Sequence, residues 1–176
     1  MSSFKDKYKF LNDFKGKRVF ITGHTGFKGS WLAYILHECG AIVKGYALKP
    51  DDQDCHYNQL GLSRLIDSEY GDITDKDILI NSLVNFQPEY VFHLAAQALV
   101  KQSYDDPYET FNTNVMGSMN LLEAVNRCAS VLSLVYITSD KCYENVEWIW
   151  GYRETDKLGG RDPYSASKAA AEILFS

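Results

Sequence analysis

Short apolar runs alternate along the chain with longer stretches in which apolar residues recur every three or four positions. Arg18-Val19-Phe20-Ile21-Thr22 reads as a buried strand running straight into glycines. Phe27 to Cys39 carries Trp31, Leu32, Ile35 and Leu36 on one helical face, with Gly40 as the stop. Ile42 to Leu48 is a second strand, punctuated by Pro50-Asp51-Asp52, and residues 51–65 predict a loop with a short helix. Ile66 to Tyr70 is a third strand. Thr74 caps the next predicted helix in a box-like arrangement with Asp77, and that helix ends before Pro88. Tyr90 to Leu94 predicts a fourth strand, Tyr108 to Arg127 a long helix and Leu132 to Thr138 a fifth strand. Residues 142–162 read as an ordered loop, and a last helix begins near Tyr164.

Strand and helix in alternation mean right-handed βαβ crossovers and a parallel sheet covered on both faces, a doubly wound α/β fold of Rossmann-like type. At roughly 150 residues per domain, 176 residues leave room for one domain. We read residues 1–16 as an N-terminal arm and 17–176 as the domain. The composition is that of a globular protein, with 45% hydrophobic and 23% charged residues. No apolar run approaches the roughly 18 residues of a membrane span, and the stretch MSSFKDKYKFLNDF lacks the apolar core of a secretory signal. A net charge of −5 without a Lys/Arg run argues against nucleic acid. Cys39, Cys55, Cys128 and Cys142 form no C-x-x-C pair and no metal spacing, so reduced, partly buried thiols, a cytoplasmic location and no metal site are expected.

Ligands of such sheets bind at the carboxyl ends of the strands. After the first strand comes Gly23-His24-Thr25-Gly26-Phe27-Lys28-Gly29, whose glycines let the backbone approach a pyrophosphate at a helix N-terminus. The spacing is G-x-x-G-x-x-G rather than the commoner G-x-G-x-x-G. After the second strand the acid that would hold the adenosine ribose is displaced to Asp51 or Asp52. Lys49 stands nearby to meet a 2′-phosphate, so NAD is favoured over NADP without being required. Asp72-Ile73 follows the third strand, as a helix cap with a core residue or as part of the site. Leu94-Ala95-Ala96-Gln97 follows the fourth, with alanines that let a flat cofactor pass. His93 reads as a satisfied, semi-buried histidine. Thr138-Ser139-Asp140-Lys141 ends the fifth strand in four polar residues. Tyr164 and Lys168 stand four apart on one face of the last helix. In a chain this rich in tyrosine and lysine that spacing arises by chance, and its place after Pro163 gives it meaning. Trp148, Trp150 and Tyr152 either order their loop or wall a ligand site.

Gly23/Gly26/Gly29, Asp72-Ile73, Leu94-Ala95-Ala96, Asn114 with Gly117, the polar end of the fifth strand and Tyr164/Lys168 together resemble the extended short-chain dehydrogenase/reductase family. Residues 23–32, 138–144 and 148–154 are most similar to its sugar-nucleotide 4,6-dehydratase branch acting on CDP-glucose. Related dTDP-sugar dehydratases carry Asp-Glu where this chain has Asp140-Lys141, and epimerases lack the pair. The resemblance implies oxidation of the glucose at C4, loss of water across C5 and C6, and return of the hydride to C6 through bound NAD. It implies Tyr164 as base for the C4 hydroxyl, supported by Lys168, and Ser139 as a hydrogen-bond partner of the C4 oxygen. Lys141, as a neutral amine, would be the C5 base, and Asp140, protonated, the acid for the C6 hydroxyl. Cofactor contacts are implied for Gly23, Thr25, Gly26, Phe27, Gly29, Asp72, Ile73, Leu94, Ala95, Ala96, Gln97, Thr113, Tyr164 and Lys168.

Other extended-family enzymes, or a non-catalytic nucleotide-binding module, remain as alternatives. Relatives of this kind form homodimers through the helices near 108–127 and from 164. Ala169 to Ser176 is helix sequence without a stop, so the chain is expected to be the N-terminal part of a longer protein. A C-terminal substrate lobe would lie beyond it, this part alone would be inactive, and Ile173, Leu174 and Phe175 would stand exposed.

Overall fold

The computed structural model describes residues 9–50 and 52–176. Five parallel strands, β1 (Arg18–Thr22), β2 (Ile42–Ala47), β3 (Asp67–Tyr70), β4 (Tyr90–His93) and β5 (Ser133–Tyr136), lie in the order β3-β2-β1-β4-β5. The order reverses beside β1, between β1 and β4, and that is where a doubly wound sheet opens a ligand crevice. Helices α1 (Phe27–Glu38), α2 (His56–Gln59), α3 (Lys76–Phe86), α4 (Val100–Asp105), α5 (Pro107–Phe111), α6 (Ser118–Asn126) and α7 (Pro163–Phe175) complete the fold. One core layer packs Val19, Ile21, Ala33, Leu36, Val43 and Leu62 beneath α1. The other packs Phe20, Leu79, Leu83, Val91, Leu121 and Ala124 beneath α3 and α6. Burial of these side chains on both sides of β1 explains why its sequence is a continuous apolar run. The Rossmann-like α/β class is the one the pattern predicts.

Several local expectations are corrected. The third strand forms as expected but begins one residue later, at Asp67, and it is polar because it is an edge strand whose Glu69 meets Lys44 at 2.8 Å. Asp75, not Thr74, caps α3, and no side chain closes that cap. The Thr74 N–H is instead taken by the Asp72 carboxylate at 2.8 Å. The single helix expected from Tyr108 is three pieces, α5, a π-helical turn over Asn112–Gly117 and α6. The pattern missed α4, which stops before Asp106-Pro107 because a residue preceding proline is driven out of the helical region. Only part of the expected arm, residues 1–8, lies outside the described residues. Lys9–Phe14 forms a 3₁₀ turn, and Phe14 packs on Tyr90 and Phe92 at 5.1 and 6.2 Å. Of the three apolar residues expected to be exposed near the end of α7, only Ile173 is. Leu174 and Phe175 are half-buried, and Phe175 stacks on Tyr136 at 3.9 Å. Among the described residues, no helix is long and apolar enough to cross a membrane.

Candidate active site

The crevice at the reversal point is a groove of about 230 Å³ lined by the ends of β1 to β4. Gly23, Thr25 and Gly26 form one wall, Asp72 and Ile73 a second, Leu94, Ala95 and Ala96 a third, and Thr113 closes it. The three glycines do different work. Gly23 has φ +75°, and a Cβ there would sit 2.6 Å from the Ala95 nitrogen. A Cβ on Gly29 would sit 2.1 Å from the Gly23 carbonyl oxygen, so Gly29 lets α1 press against the loop. Gly26 meets nothing nearer than 3.4 Å, so its bare Cα opens into the groove and leaves room for an incoming group. It is the N-cap of α1, where no side chain occupies the first amides. Free amides, a positive helix end and a Cβ-sized gap fit the pyrophosphate of a dinucleotide.

Not every expected cofactor residue lines this groove. The Phe27 ring is 68% exposed and packs on His56. The Gln97 amide is committed to Thr110 and Leu99, while its backbone meets Asn114. Asp51 lies outside the described residues. Ala47, Leu48 and Gly71 line the groove without having been expected, although the strand-end rule points to them. The Thr25 hydroxyl donates to the Leu48 carbonyl at 3.0 Å and pins the loop to the end of β2.

A buried polar chain shapes the floor. The Thr22 hydroxyl accepts from the amides of Leu94 and Ala95, each at 3.2 Å, so its proton points to His93 Nδ1 at 2.5 Å. The other ring nitrogen, Nε2, then donates to Ser118 at 3.0 Å, and Ser118 donates to the Asn114 carbonyl at 2.7 Å. Burial pushes the His93 imidazole down to about 3, so it stays neutral, as this chain of donors requires. His93 is therefore satisfied, but fully rather than partly buried. Burial likewise lowers His24 to about 4. The Asn114 amide ties α7 to the groove, donating to Ser167 at 2.8 Å and to the Gln97 carbonyl at 3.0 Å.

The catalytic candidates come from two elements packed together, the 3₁₀ turn Asp140–Cys142 at the end of β5 and α7. The Ser139 hydroxyl caps that turn and reaches Asp140 at 3.2 Å. Asp140 and Lys141 are exposed and line a second cavity of about 470 Å³, bounded by Tyr143, Tyr152, Lys157 and Arg161. The α7 N-cap is Asp162, whose carboxylate accepts from the Ser165 amide at 2.9 Å and its hydroxyl at 2.6 Å. Burial pushes that carboxyl up, but these hydrogen bonds together outweigh it and hold it below its ordinary range. Tyr164 is 8% and Lys168 4% exposed. The Lys168 ammonium donates to the Ile137 carbonyl at 3.4 Å and lies 5.6 Å from the centre of the Tyr136 ring. Burial lowers it to about 8. Neither Tyr164 nor Lys168 stands among the residues lining the two cavities. In the loop, Tyr152 stacks on Tyr143 at 5.6 Å and tilts against Trp148, while Trp150 is 69% exposed.

Residues 20–176 match the GDP-mannose 4,6 dehydratase family. The chain belongs to that family. Its motifs place it among the extended short-chain dehydrogenase/reductases, as the resemblance suggested. It is 54% identical over 165 residues to the CDP-glucose 4,6-dehydratase of Salmonella typhimurium, covering 94% of this chain and 46% of that one. Among solved structures it is similar to the UDP-glucose 4-epimerase of Thermotoga maritima with UDP-glucose, with TM-score 0.79, 28% identity, and 90% and 50% of the two chains covered. It is also similar to the UDP-glucose 4-epimerase of Thermus thermophilus in complex with NAD, with TM-score 0.77, 32% identity, and 90% and 49% covered. The chain spans about half the length of the curated relatives it matches.

Proposed function

We propose that the protein is the cofactor-binding part of a nucleotide-sugar 4,6-dehydratase, a hydro-lyase, acting on CDP-glucose. The observation that carries this reading is Ser139-Asp140-Lys141 at the end of β5, packed against the helix that bears Tyr164 and Lys168. An epimerase working at C4 has no use for an acid and a base at C5 and C6, which weighs against the reading its structural neighbours would suggest. NAD bound in the groove would supply the hydride acceptor, and then donor, that a dehydration without net redox change requires. NAD is proposed over NADP, supported by the acids beyond β2 and weighed against by Lys49.

In this reading Tyr164 takes the proton of the C4 hydroxyl, with Lys168 one turn further along the same helical face. Ser139 donates to the C4 oxygen. Once C4 is a ketone, Lys141 removes the acidified C5 proton, and Asp140 protonates the C6 hydroxyl as it leaves as water. The protein is proposed to work as a homodimer through α5, the π turn, α6 and α7, whose surface exposes Tyr108, Met116, Met119 and Ile173. The reduced thiols suit a cytoplasmic enzyme. The full-length protein with NAD and CDP-glucose is expected to yield a 4-keto-6-deoxy product without net accumulation of reduced cofactor, and to discriminate against dTDP-glucose and GDP-mannose. Absence of the keto product from CDP-glucose overturns the reading. Lys141→Ala is expected to abolish deuterium wash-in from solvent at C5, and unchanged wash-in removes Lys141 from that role.

A further inference from the structure

Beside Lys168, where α7 packs on the 3₁₀ turn after β5, lies a cluster that the proposed chemistry does not use. Glu172 follows Lys168 by four residues and shares its helical face. The Cys142 thiol donates to Glu172 Oε1 at 3.8 Å, so this half-buried carboxylate is held between α7 and the turn that carries Asp140 and Lys141. The titratable groups facing Lys168 are Tyr164 and Glu172 from its own helix, Cys142 from the 3₁₀ turn, Tyr136 from β5 and His93 from β4. Burial pushes Cys142 up to about 11 and also raises Tyr136, while His93 is neutral. Glu172 is thus the one carboxylate in this group, among the described residues.

We propose that Glu172 is a positioning residue that keeps Lys168 in its ammonium form, and so sets the alkaline limit of the chemistry at Tyr164. The cluster has this consequence because an ammonium 4% exposed has, among the described residues, a single oxygen hydrogen-bond partner, a carbonyl at 3.4 Å, too little to offset its lost hydration. Burial is the dominant influence on Lys168 and drives its proton off, and the Glu172 charge is the largest influence opposing it. Removing that charge lets the proton leave at lower pH. The catalytic consequence rests on the proposed dehydratase function, but the effect on Lys168 does not.

The test is a titration of the full-length protein carrying carbon-13 lysine, with the Lys168 side-chain resonance assigned by its loss in Lys168→Arg. Lys168 is expected to titrate near 8 in the unsubstituted protein. In Glu172→Gln the midpoint is expected about one pH unit lower, the usual scale for loss of a neighbouring opposite charge. Glu172→Asp, whose carboxylate is withdrawn by one methylene, is expected to fall between them and serves if the glutamine variant does not fold. The alkaline limb of kcat is expected to move with the midpoint, which loss of packing alone would not produce. An unchanged Lys168 midpoint in either folded variant overturns the proposal. If the unsubstituted protein shows no turnover, the dehydratase reading fails, and the lysine titration still decides the role of Glu172.

Discussion

A methyl group added at Gly29 would sit 2.1 Å from the Gly23 carbonyl oxygen, so its cost falls on the protein itself. Gly29→Ala is expected to lower stability by about 2 kcal/mol or more, the scale of overpacking, in a urea unfolding experiment. Gly26→Ala is the informative contrast, since its Cβ meets nothing closer than 3.4 Å and its φ of −74° suits any residue. Its stability is expected to stay within about 1 kcal/mol, while NAD affinity by calorimetry drops at least about tenfold. Equal losses of stability at the two positions would remove Gly26 from the ligand site. Lys168 supplies a second prediction. It titrates near 8 in the fold against an ordinary 10.5. Between those values the unfolded chain holds more protons than the folded one, so stability gains with rising pH. Relative to Lys168→Met, the unsubstituted protein is expected to gain about 3 kcal/mol between pH 8 and 10.5. A difference independent of pH would show that Lys168 is not desolvated.

At the scale of elements, the junction of α5, the π turn and α6 shows why the helix pattern was only partly legible. The apolar spacing from Tyr108 onward is helical throughout, but Asn114 is drawn into the π turn by partners that no local pattern names. It bonds to Gln97, 17 positions away, and to Ser167, 53 positions away. Asn114→Ala is expected to cost about 2–3 kcal/mol, because it leaves the half-buried Gln97 backbone N–H and the buried Ser167 hydroxyl short of a partner. A change under about 0.5 kcal/mol would show that the π turn stands without it. The strand β3 lies where it was expected, although its sequence carries little of the apolar run that marks β1. An edge strand has one neighbour and no need of a continuous apolar run, so Asp67, Ser68 and Glu69 serve there as well as valines would in the middle. The loop over residues 142–162 holds its shape through Tyr143, Tyr152 and Trp148, with Trp150 mostly in solvent.

At the scale of the molecule, two buried neutral imidazoles govern behaviour in acid. His93 and His24 titrate near 3 and 4 in the fold, against an ordinary 6.5. The unfolded chain takes up those protons first, so stability is full above about 6.5 and falls as pH drops toward 3 to 4. The loss is on the order of 3 kcal/mol for each imidazole. A urea series from pH 7.5 to 4 checks this, and a flat profile would contradict the burial of these rings. The proposed dimer face is tested by Tyr108→Glu. That ring is 80% exposed, so the variant is expected to fold normally and to sediment at half the mass of the unsubstituted full-length protein.

The sequence by itself determined the sheet class, the positions of β1, β2 and β4, the glycine loop, and the placing of Tyr164 and Lys168 one turn apart on the last helix. Each of these is written in spacing within a dozen residues, where backbone geometry translates period directly into structure. Only the tertiary structure decided which glycine opens into the groove and which serves packing, since all three look alike in a string. It also decided that Thr22, His93 and Ser118 form one directed chain of hydrogen bonds across three elements. The contact of Cys142 with Glu172, 30 positions apart, belongs to the same class. Such pairings depend on which strands become neighbours, and burial gives them their energy, because a polar group removed from water must find its partner wherever the fold brings one.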